Sequence, residues 1–226
     1  MSTPSSPGSE QAERPGPLVV GLVGGIGSGK SEVARLMGER GGVLVDADRI
    51  GHELLQDPAI KQRVVERWGP GVLGAEGEVD RAELAAAVFS GSGGGNPGVQ
   101  ALNEVVHPTL VARVRSAVEG ARRRGAAPWV VVDAALLLEW GLGALCDAIV
   151  FVEASAEERR RRVARSRGWS AEELARRERC QFSLAEKRAC AQWVLQNTGS
   201  REALIAEVEK LLVALGGPVR AGRAGA

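Results

Sequence analysis

Residues 18–33 read LVVGLVGGIGSGKSEV, and this stretch decides the fold. Residues 18–23 form a continuous apolar run, which is typical of a parallel strand covered on both faces. Residues 24–31, GGIGSGKS, follow it and match GxxxxGK[ST], the pattern of a phosphate-binding loop. Apolar positions at Val33 and Leu36 then recur at helical spacing. The stretch therefore predicts strand, loop and helix, the setting in which this pattern binds nucleotide phosphates.

The chemistry expected of the loop follows from its residue types. Glycines let backbone N–H groups converge on phosphate oxygens, and the helix N-terminus adds roughly half a positive charge. Lys30 is expected to reach the β and γ phosphates, and the Ser31 hydroxyl to bind Mg²⁺. A dinucleotide-binding loop is disfavoured because no register here gives GxGxxG. The residues expected to bind nucleotide are Gly25, Ile26, Gly27, Ser28, Gly29, Lys30, Ser31 and Glu32.

Acidic residues end two predicted strands. Asp46 and Asp48 follow the apolar run 43–45, and their spacing points both side chains to one side, beside the loop. One would orient or deprotonate a hydroxyl while the other holds Mg²⁺, and the alternative is that one of them caps the next helix. Asp133 closes WVVVD, residues 129–133, a pattern typical of a carboxylate near Mg²⁺.

An arginine-rich helix is predicted at 156–167. Arg162 and Arg165 share a helical face, so the pair is a candidate for phosphate recognition. The alternative is a solvated face paired with the neighbouring glutamates. A nucleic-acid surface is disfavoured because nearby acids balance the charge and no aromatic residues interleave.

Composition excludes several classes. The chain of 226 residues has a net charge of +1, with 44% hydrophobic and 25% charged residues, as in an ordinary soluble globular protein. Its apolar runs are too short to cross a bilayer. Two histidines and three cysteines without a CxxC pair favour neither a metal cluster nor a disulfide framework, and they suggest a reducing cytoplasm.

Strands and helices are expected to alternate, which predicts a parallel α/β sheet with helices on both faces. Strands are expected at 18–23, 43–45, 129–133, 148–152 and 193–195. The later helices are expected at 49–68, 81–89, 99–124 (interrupted or restarted at His107-Pro108), 156–167, 170–182 and 202–215. Residues 1–16 and 216–226 are expected to be disordered tails, and 90–98 a flexible loop.

Six segments in order resemble the dephospho-CoA kinase family. They are GLVGGIGSGKSEV (21–33), VLVDAD (43–48), LNEVVHPTL (102–110), VVDAALLLEWG (131–141), DAIVFVEAS (147–155, with an arginine helix and Gln181 beyond it) and VLQNTG (194–199). The resemblance covers about residues 18–215. It departs from the family at Ala135, where a proline is usual, at Ser166, where a second arginine is expected, and at Glu32, where a hydroxyl residue is usual.

The resemblance implies a P-loop NTPase three-layer sandwich that uses ATP and Mg²⁺. The implied reaction is phosphorylation of the ribose 3′-hydroxyl of dephospho-CoA. Residues 17–49 and 116–215 would form the nucleotide-binding core, 50–115 a helical acceptor-binding region and 155–185 a lid. It implies a cytoplasmic protein, a monomer or weak homo-oligomer, with a small-molecule substrate and neither nucleic acid nor membrane as partner.

The resemblance also assigns residues. It implies catalytic roles for Lys30, Asp48 and Arg162, with Asp48 as the base. Ser31 and Asp46 are assigned to the metal, and Asn197 to the adenine. The residues expected to contact the acceptor are Asp48, His107, Arg113 and Glu139.

Two other functions remain open from the sequence. The first is another small-molecule kinase, for nucleosides, nucleotides or shikimate, which shares the loop but does not require the HP and DAD segments together. The second is a regulatory nucleotide-binding switch with a macromolecular partner.

Overall fold

The computed structural model describes residues 16–89 and 97–216. The tails predicted at 1–16 and 216–226, and the loop predicted at 90–98, fall almost entirely outside these residues. Among the described residues, the helices are all too short or too polar to span a lipid bilayer.

Five parallel strands form one sheet in the order β2-β3-β1-β4-β5. The strands are β1 (Leu18–Val23), β2 (Val43–Asp46), β3 (Trp129–Asp133), β4 (Ala148–Glu153) and β5 (Trp193–Gln196). Each lies within one residue of its predicted bounds, and the predicted α/β class is confirmed. The register pairs Asp46 with Asp133, so two strands end in carboxylates side by side.

Helices cover both faces of the sheet in the described chain. They are α1 (Lys30–Glu39), α2 (Ala47–Leu54), α3 (Pro58–Trp68), α4 (Arg81–Phe89), α5 (Pro97–Arg124), α6 (Ala156–Arg167), α7 (Ala171–Glu178), α8 (Leu184–Ala189) and α9 (Arg201–Ala214). Short 3-10 turns lie at Pro70–Val72 and Leu142–Leu145.

Alternate residues of β1 enter two separate cores, which gives the three-layer arrangement. Val19 packs toward the side that carries α2 to α5. Val20 and Leu22 pack toward α1 and α9 on the other side. All three are fully buried, and strands covered on both faces have no place for a polar side chain, which explains the continuous apolar runs.

The helical stretch predicted at 49–68 is divided between two helices, α2 and α3. The Asp46 side chain accepts from the amide of Arg49 and starts α2 earlier than expected. Asp57 then caps α3, and Pro58 occupies its first position, where no backbone N–H is needed. A cap followed by proline was the signal for this boundary.

The break predicted at His107-Pro108 is wrong, since α5 continues through Pro108. Proline has no N–H for the carbonyl four residues earlier, which belongs to Glu104. Arg63 of α3 supplies donors from outside the helix: Nη2 donates to the Glu104 oxygen at 3.4 Å, and Nη1 to the Val105 oxygen at 3.2 Å. A residue 41 positions away thus helps the helix to pass its proline.

The helix predicted at 170–182 is shorter than expected. It ends at Glu178, and a further helix, α8, follows a capping box formed by Ser183 and Glu186. This change places Gln181 and Phe182 in the connection between α7 and α8.

Two glycines, one within α1 and one just after its end, should respond oppositely to substitution by alanine. An added Cβ at Gly42 would overlap the buried Trp129 ring, whose Nε1 donates to the Met37 carbonyl at 3.0 Å. At Gly38, within α1, it would meet nothing within 4 Å. We expect G42A to lower the free energy of unfolding by about 1–3 kcal/mol, the usual cost of overpacking. G38A should raise it by roughly 0.5–1 kcal/mol through helix propensity.

Urea unfolding followed by circular dichroism measures both changes. The two substitutions are chemically identical, so each is the control for the other. An unchanged or increased stability of G42A would contradict the packing described here.

Candidate active site

The loop between β1 and α1 has room only for glycine at two turns. Gly27 and Gly29 have φ angles of 79° and 94°, in the left-handed region. A Cβ at Gly29 would overlap the side-chain nitrogen of Asn197. In the described chain α1 starts without a side-chain cap, so the amides of its first turn are left for an incoming ligand.

The loop is held from behind through a carbonyl group. The oxygen of Ser28 accepts from Asn197 Nδ2 at 2.7 Å and from Arg162 Nη1 at 3.3 Å. Arg162 Nη2 also donates to the Asn197 carbonyl at 3.0 Å, and Glu158 lies 3.4 Å from the same nitrogen. The helix α6 and the residue after β5 therefore fix the loop together.

Lys30 folds back over the loop. Its Nζ donates to the carbonyls of Gly24 and Gly25, both at 3.2 Å. Burial lowers the pKa of Lys30 from 10.5 to about 8, although the nearby carboxylates of Asp133 and Asp48 act in the opposite direction. A bound anion would restore the ordinary preference of this group for its charged form.

Asp133, at the end of β3, is the carboxylate next to Ser31. Burial raises its pKa, while the nearby Ser31 hydroxyl and the ammonium of Lys30 both act to lower it. The Asp46 carboxylate accepts the Arg49 amide at 2.8 Å, so the capping alternative considered for Asp46 is confirmed.

These oxygens fit Mg²⁺ in their chemistry. Hydroxyl and carboxylate oxygens are its preferred protein ligands, and it usually keeps waters or phosphate oxygens in its shell. Among the described residues, no group of three or more His, Cys, Asp or Glu side chains could hold a metal alone. The donor set around Ser31 and Asp133 therefore suits a cation that arrives with a phosphate ligand.

A cavity of about 440 Å³ lies above the loop. Its floor is formed by the loop, Asp48 and Asp133, and its roof by residues between α6 and α8. The lining residues from that roof are Arg162, Arg167, Trp169, Arg177, Cys180 and Gln181. Positive charge from α6 and α7 therefore lines the cavity together with the loop.

The roof is joined to the end of α4 by stacked arginines. The guanidinium of Arg177 lies 4.0 Å from the Trp169 ring centroid and 4.6 Å from that of Phe89. Arg176 lies 4.8 Å from the Phe89 ring and donates to the Phe89 carbonyl at 3.3 Å. These contacts close one side of the cavity.

A second cavity of about 280 Å³ opens among α2, α4 and α5. Its walls are mostly apolar and include Leu55, Leu84, Val88, Val106, Leu110 and Trp140. Asp48, Phe89 and Val99 line both cavities. Asp48 therefore stands where the phosphate cavity meets an apolar one.

Residues 18–202 match the family model for dephospho-CoA kinase. The dephospho-CoA kinase of Deinococcus radiodurans is 40% identical over 197 residues, covering 87% of this chain and 91% of that protein. The enzyme of the same name from Carboxydothermus hydrogenoformans is 35% identical over 196 residues, covering 86% and 92%. The crystal structure of TT1252 from Thermus thermophilus superposes with a TM-score of 0.69 at 37% identity, covering 89% of this chain and 100% of that one.

This chain belongs to the dephospho-CoA kinase family. The resemblance found in the sequence is confirmed, and with it the enzyme class, a kinase that uses ATP.

The three residues that family resemblance marks as catalytic lie together. Lys30, Asp48 and Arg162 all line the cavity above the loop. Arg167 lines it as well, whereas Arg165 is not among its lining residues. Which of the three arginines faces the loop could not be read from helical spacing alone.

The other residues assigned from the dephospho-CoA kinase resemblance lie outside the linings of both cavities. His107 Nε2 is 3.3 Å from the Trp140 carbonyl, and Arg113 pairs with Asp57 at 3.3 Å. Glu139 pairs with Lys187, and Asn197 lies behind the loop. Their expected roles at substrate stay predictions.

Some lining residues had no assigned role in the sequence. Trp169 and Arg177 carry no motif of their own and reach the cavity only through the packing of α6 and α7. Gln181 belongs to the segments that resemble the dephospho-CoA kinase family, but the resemblance assigned it no role. Asp133 carried a signal, the acid that ends an apolar strand, but Asp46 was assigned to the metal instead.

Nucleotide binding should weaken above pH 8, because the free protein loses the Lys30 proton near that pH. Phosphates favour the ammonium form, so the pKa of Lys30 should rise on binding, and ATP binding above pH 8 should take up a proton. We expect a constant ATP affinity from pH 6.5 to 7.5 and a fall of up to tenfold per pH unit above 8.

Calorimetry in buffers of different ionisation enthalpy measures both the affinity and the proton uptake. K30R is the control, because its guanidinium stays charged and should give a flat profile over this range. An equal wild-type affinity at pH 7 and pH 9.5 would contradict the assignment.

Proposed function

We propose that this protein transfers the terminal phosphoryl group of ATP to the ribose 3′-hydroxyl of dephospho-CoA, giving CoA and ADP. Membership of the dephospho-CoA kinase family supports the reaction. The observation that carries it is the position of Asp48, on the shared border of the two cavities. A hydroxyl brought through the second cavity would meet a phosphate on the loop beside this carboxylate.

In this proposal the chain supplies position and charge. The Asp48 carboxylate accepts the proton of the attacking hydroxyl. The free amides of α1, the Lys30 ammonium and Arg162 offset negative charge on the transferred group. Closure by the roof excludes water, which otherwise competes as the acceptor.

Mg²⁺ belongs to the same proposal. Ser31 would bind it directly, and Asp133 or Asp46 through water. When bound, it neutralises charge on the β and γ phosphates. We place Asp133 ahead of Asp46 because Asp133 lines the cavity together with Ser31, whereas the Asp46 carboxylate is engaged by the Arg49 amide.

The proposed division of the chain assigns each region one task. Residues 17–49 and 116–215 bind nucleotide, 50–115 bind the acceptor and 155–185 form the lid. The second cavity lies among α2, α4 and α5, inside the acceptor region. In this proposal His107 and Glu139 contribute to acceptor binding through the segment that follows β3. Arg113 contributes at the surface of the acceptor region, and Asn197 lies on the side of the loop where the adenine binds.

Three free cysteines fit a reducing compartment. We therefore propose a cytoplasmic enzyme with small-molecule substrates that acts as a monomer or weak homo-oligomer.

The direct test is product formation by purified protein with Mg·ATP and dephospho-CoA. We expect the acceptor to gain the mass of one phosphate, with fragmentation placing it on the ribose 3′ position. K30A should give no product, because the loop then lacks its ammonium. ADP release without a phosphorylated acceptor, or transfer only to a nucleoside or to shikimate, would overturn the proposed acceptor.

Replacing Asp48 should separate catalysis from nucleotide binding. We expect D48N to keep ATP affinity within about twofold and to lower kcat by roughly 10²–10⁴, the usual range for loss of a general base. D80N is the matched control: Asp80 caps α4 by accepting the amides of Ala82 and Glu83, and asparagine also caps helices well. A near-normal kcat for D48N in steady-state assays would remove the base assignment.

A further inference from the structure

A second lysine is buried behind the cavity. Lys187 of α8 has only 3% of its side chain exposed, and Glu139 beside it 12%. The ammonium donates to Gln181 Oε1 at 2.7 Å and lies 3.3 Å from Glu139 Oε1. That same carboxylate oxygen accepts the amide of Phe182 at 2.7 Å. A buried ion pair therefore holds the connection between α7 and α8.

The ammonium fixes which way the Gln181 amide faces. A lysine ammonium has donors only, so the atom it meets at 2.7 Å must be the amide oxygen. The Nε2 group is then directed away from Lys187. Gln181 lines the cavity above the loop, and within the described residues its Nε2 donates to no protein acceptor and is not fully buried. Two N–H donors are thus left for a ligand.

The place of this amide is on the phosphate side of the cavity. Lys30 and Ser31 line the same cavity as Gln181. The Lys187 charge is close enough to Lys30 to help lower the pKa of Lys30. An anion held by Lys30 would therefore occupy the cavity that Gln181 also lines.

We propose that Gln181 is a further substrate-contacting residue that donates from Nε2 to an oxygen of the terminal phosphoryl group of bound nucleotide. Lys187 and Glu139 are its positioning residues and do not touch the nucleotide. This inference rests on the proposed function only in taking a nucleoside triphosphate as the ligand of the loop.

The arrangement has a physical reason. A glutamine amide on a cavity wall can turn over, and its oxygen would then repel a phosphate. The buried ammonium removes that alternative, since an N–H group facing it would have no acceptor. Glu139 offsets the Lys187 charge, which is otherwise costly to bury. Glu139 lies in the segment that follows β3. The position of the Gln181 amide is therefore linked to the sheet through Glu139 and Lys187.

The test compares two nucleotides that differ in the terminal group. We expect Q181A to bind the ATP analogue AMPPNP with Mg²⁺ about 10- to 100-fold more weakly, as for loss of a hydrogen bond to a charged group. ADP binding should change less than twofold. Binding by calorimetry at pH 7 needs no acceptor, so failure of dephospho-CoA as the substrate would leave this result readable.

The positioning role is tested by combining variants. K187M should reproduce the selective loss for AMPPNP, and K187M with Q181A should lose no more than Q181A alone. K187M with E139Q avoids leaving a buried carboxylate unpaired and should give the same selective loss. K210M is the matched control, since Lys210 lies exposed on α9 and pairs only with Glu207.

An equal loss of affinity for AMPPNP and ADP would overturn the proposal, because it would show that Gln181, Lys187 and Glu139 only hold α8 in place. Unchanged AMPPNP binding by Q181A would overturn the contact with the terminal phosphate. A further loss from K187M in the Q181A background would show that Lys187 does not act through Gln181.

Discussion

The site depends on a loop that must offer backbone amides while its carbonyl groups are engaged elsewhere. A loop this short has oxygens that would repel phosphate if they faced the same way as the amides. Lys30 takes the carbonyls of Gly24 and Gly25, and Asn197 with Arg162 takes that of Ser28. Glycine is needed at position 29 because Asn197 stands where a side chain would be, and at positions 25 and 27 because Arg159 does. The tight packing around the loop and its capacity for anions therefore have one cause.

The parallel sheet brings the acids to the loop. Asp46 and Asp133 end neighbouring strands in register, and β1, which leads into the loop, lies on the other side of β3. Burying Asp133 beside Lys30 costs both groups hydration, which raises the pKa of one and lowers that of the other. A phosphate would stabilise the charged form of Lys30, and a cation that of Asp133. This is the preorganisation expected of phosphoryl transfer.

Local patterns were enough to predict the sheet and much of the site. Strands buried on both faces have no polar positions, so β1 and β3 could be read almost to the residue. The glycine loop carried Lys30 and Ser31 by spacing alone. Arg162 could be named as a candidate because helical periodicity fixes which residues share a face. The place of Asp48 between two cavities could not be read, because that border is formed by α4 and α5.

What failed depended on contacts distant in sequence. Proline at 108 predicted a break, yet donors from Arg63 serve the carbonyls near it and the helix continues. The sequence left open whether Arg165 or Arg167 lines the cavity, because this depends on how α6 packs over the loop. Arg167 lines the cavity and Arg165 is absent from its lining. Helix propensity and residue spacing describe one segment at a time, so they cannot predict contacts between segments that are distant in sequence.

The rarity of lysine in the composition is informative beyond the phosphate-binding loop. Only four of the 29 basic residues are lysines, so arginine is the default cation of this chain. Two of the four, Lys30 and Lys187, are the ones that meet several oxygens in a confined space at the site. A compact ammonium can turn its three donors toward several oxygens, whereas the donors of a guanidinium stay in one plane. Lysine at these two positions therefore suits confined places with several oxygens, one in the lining of the cavity and the other behind it.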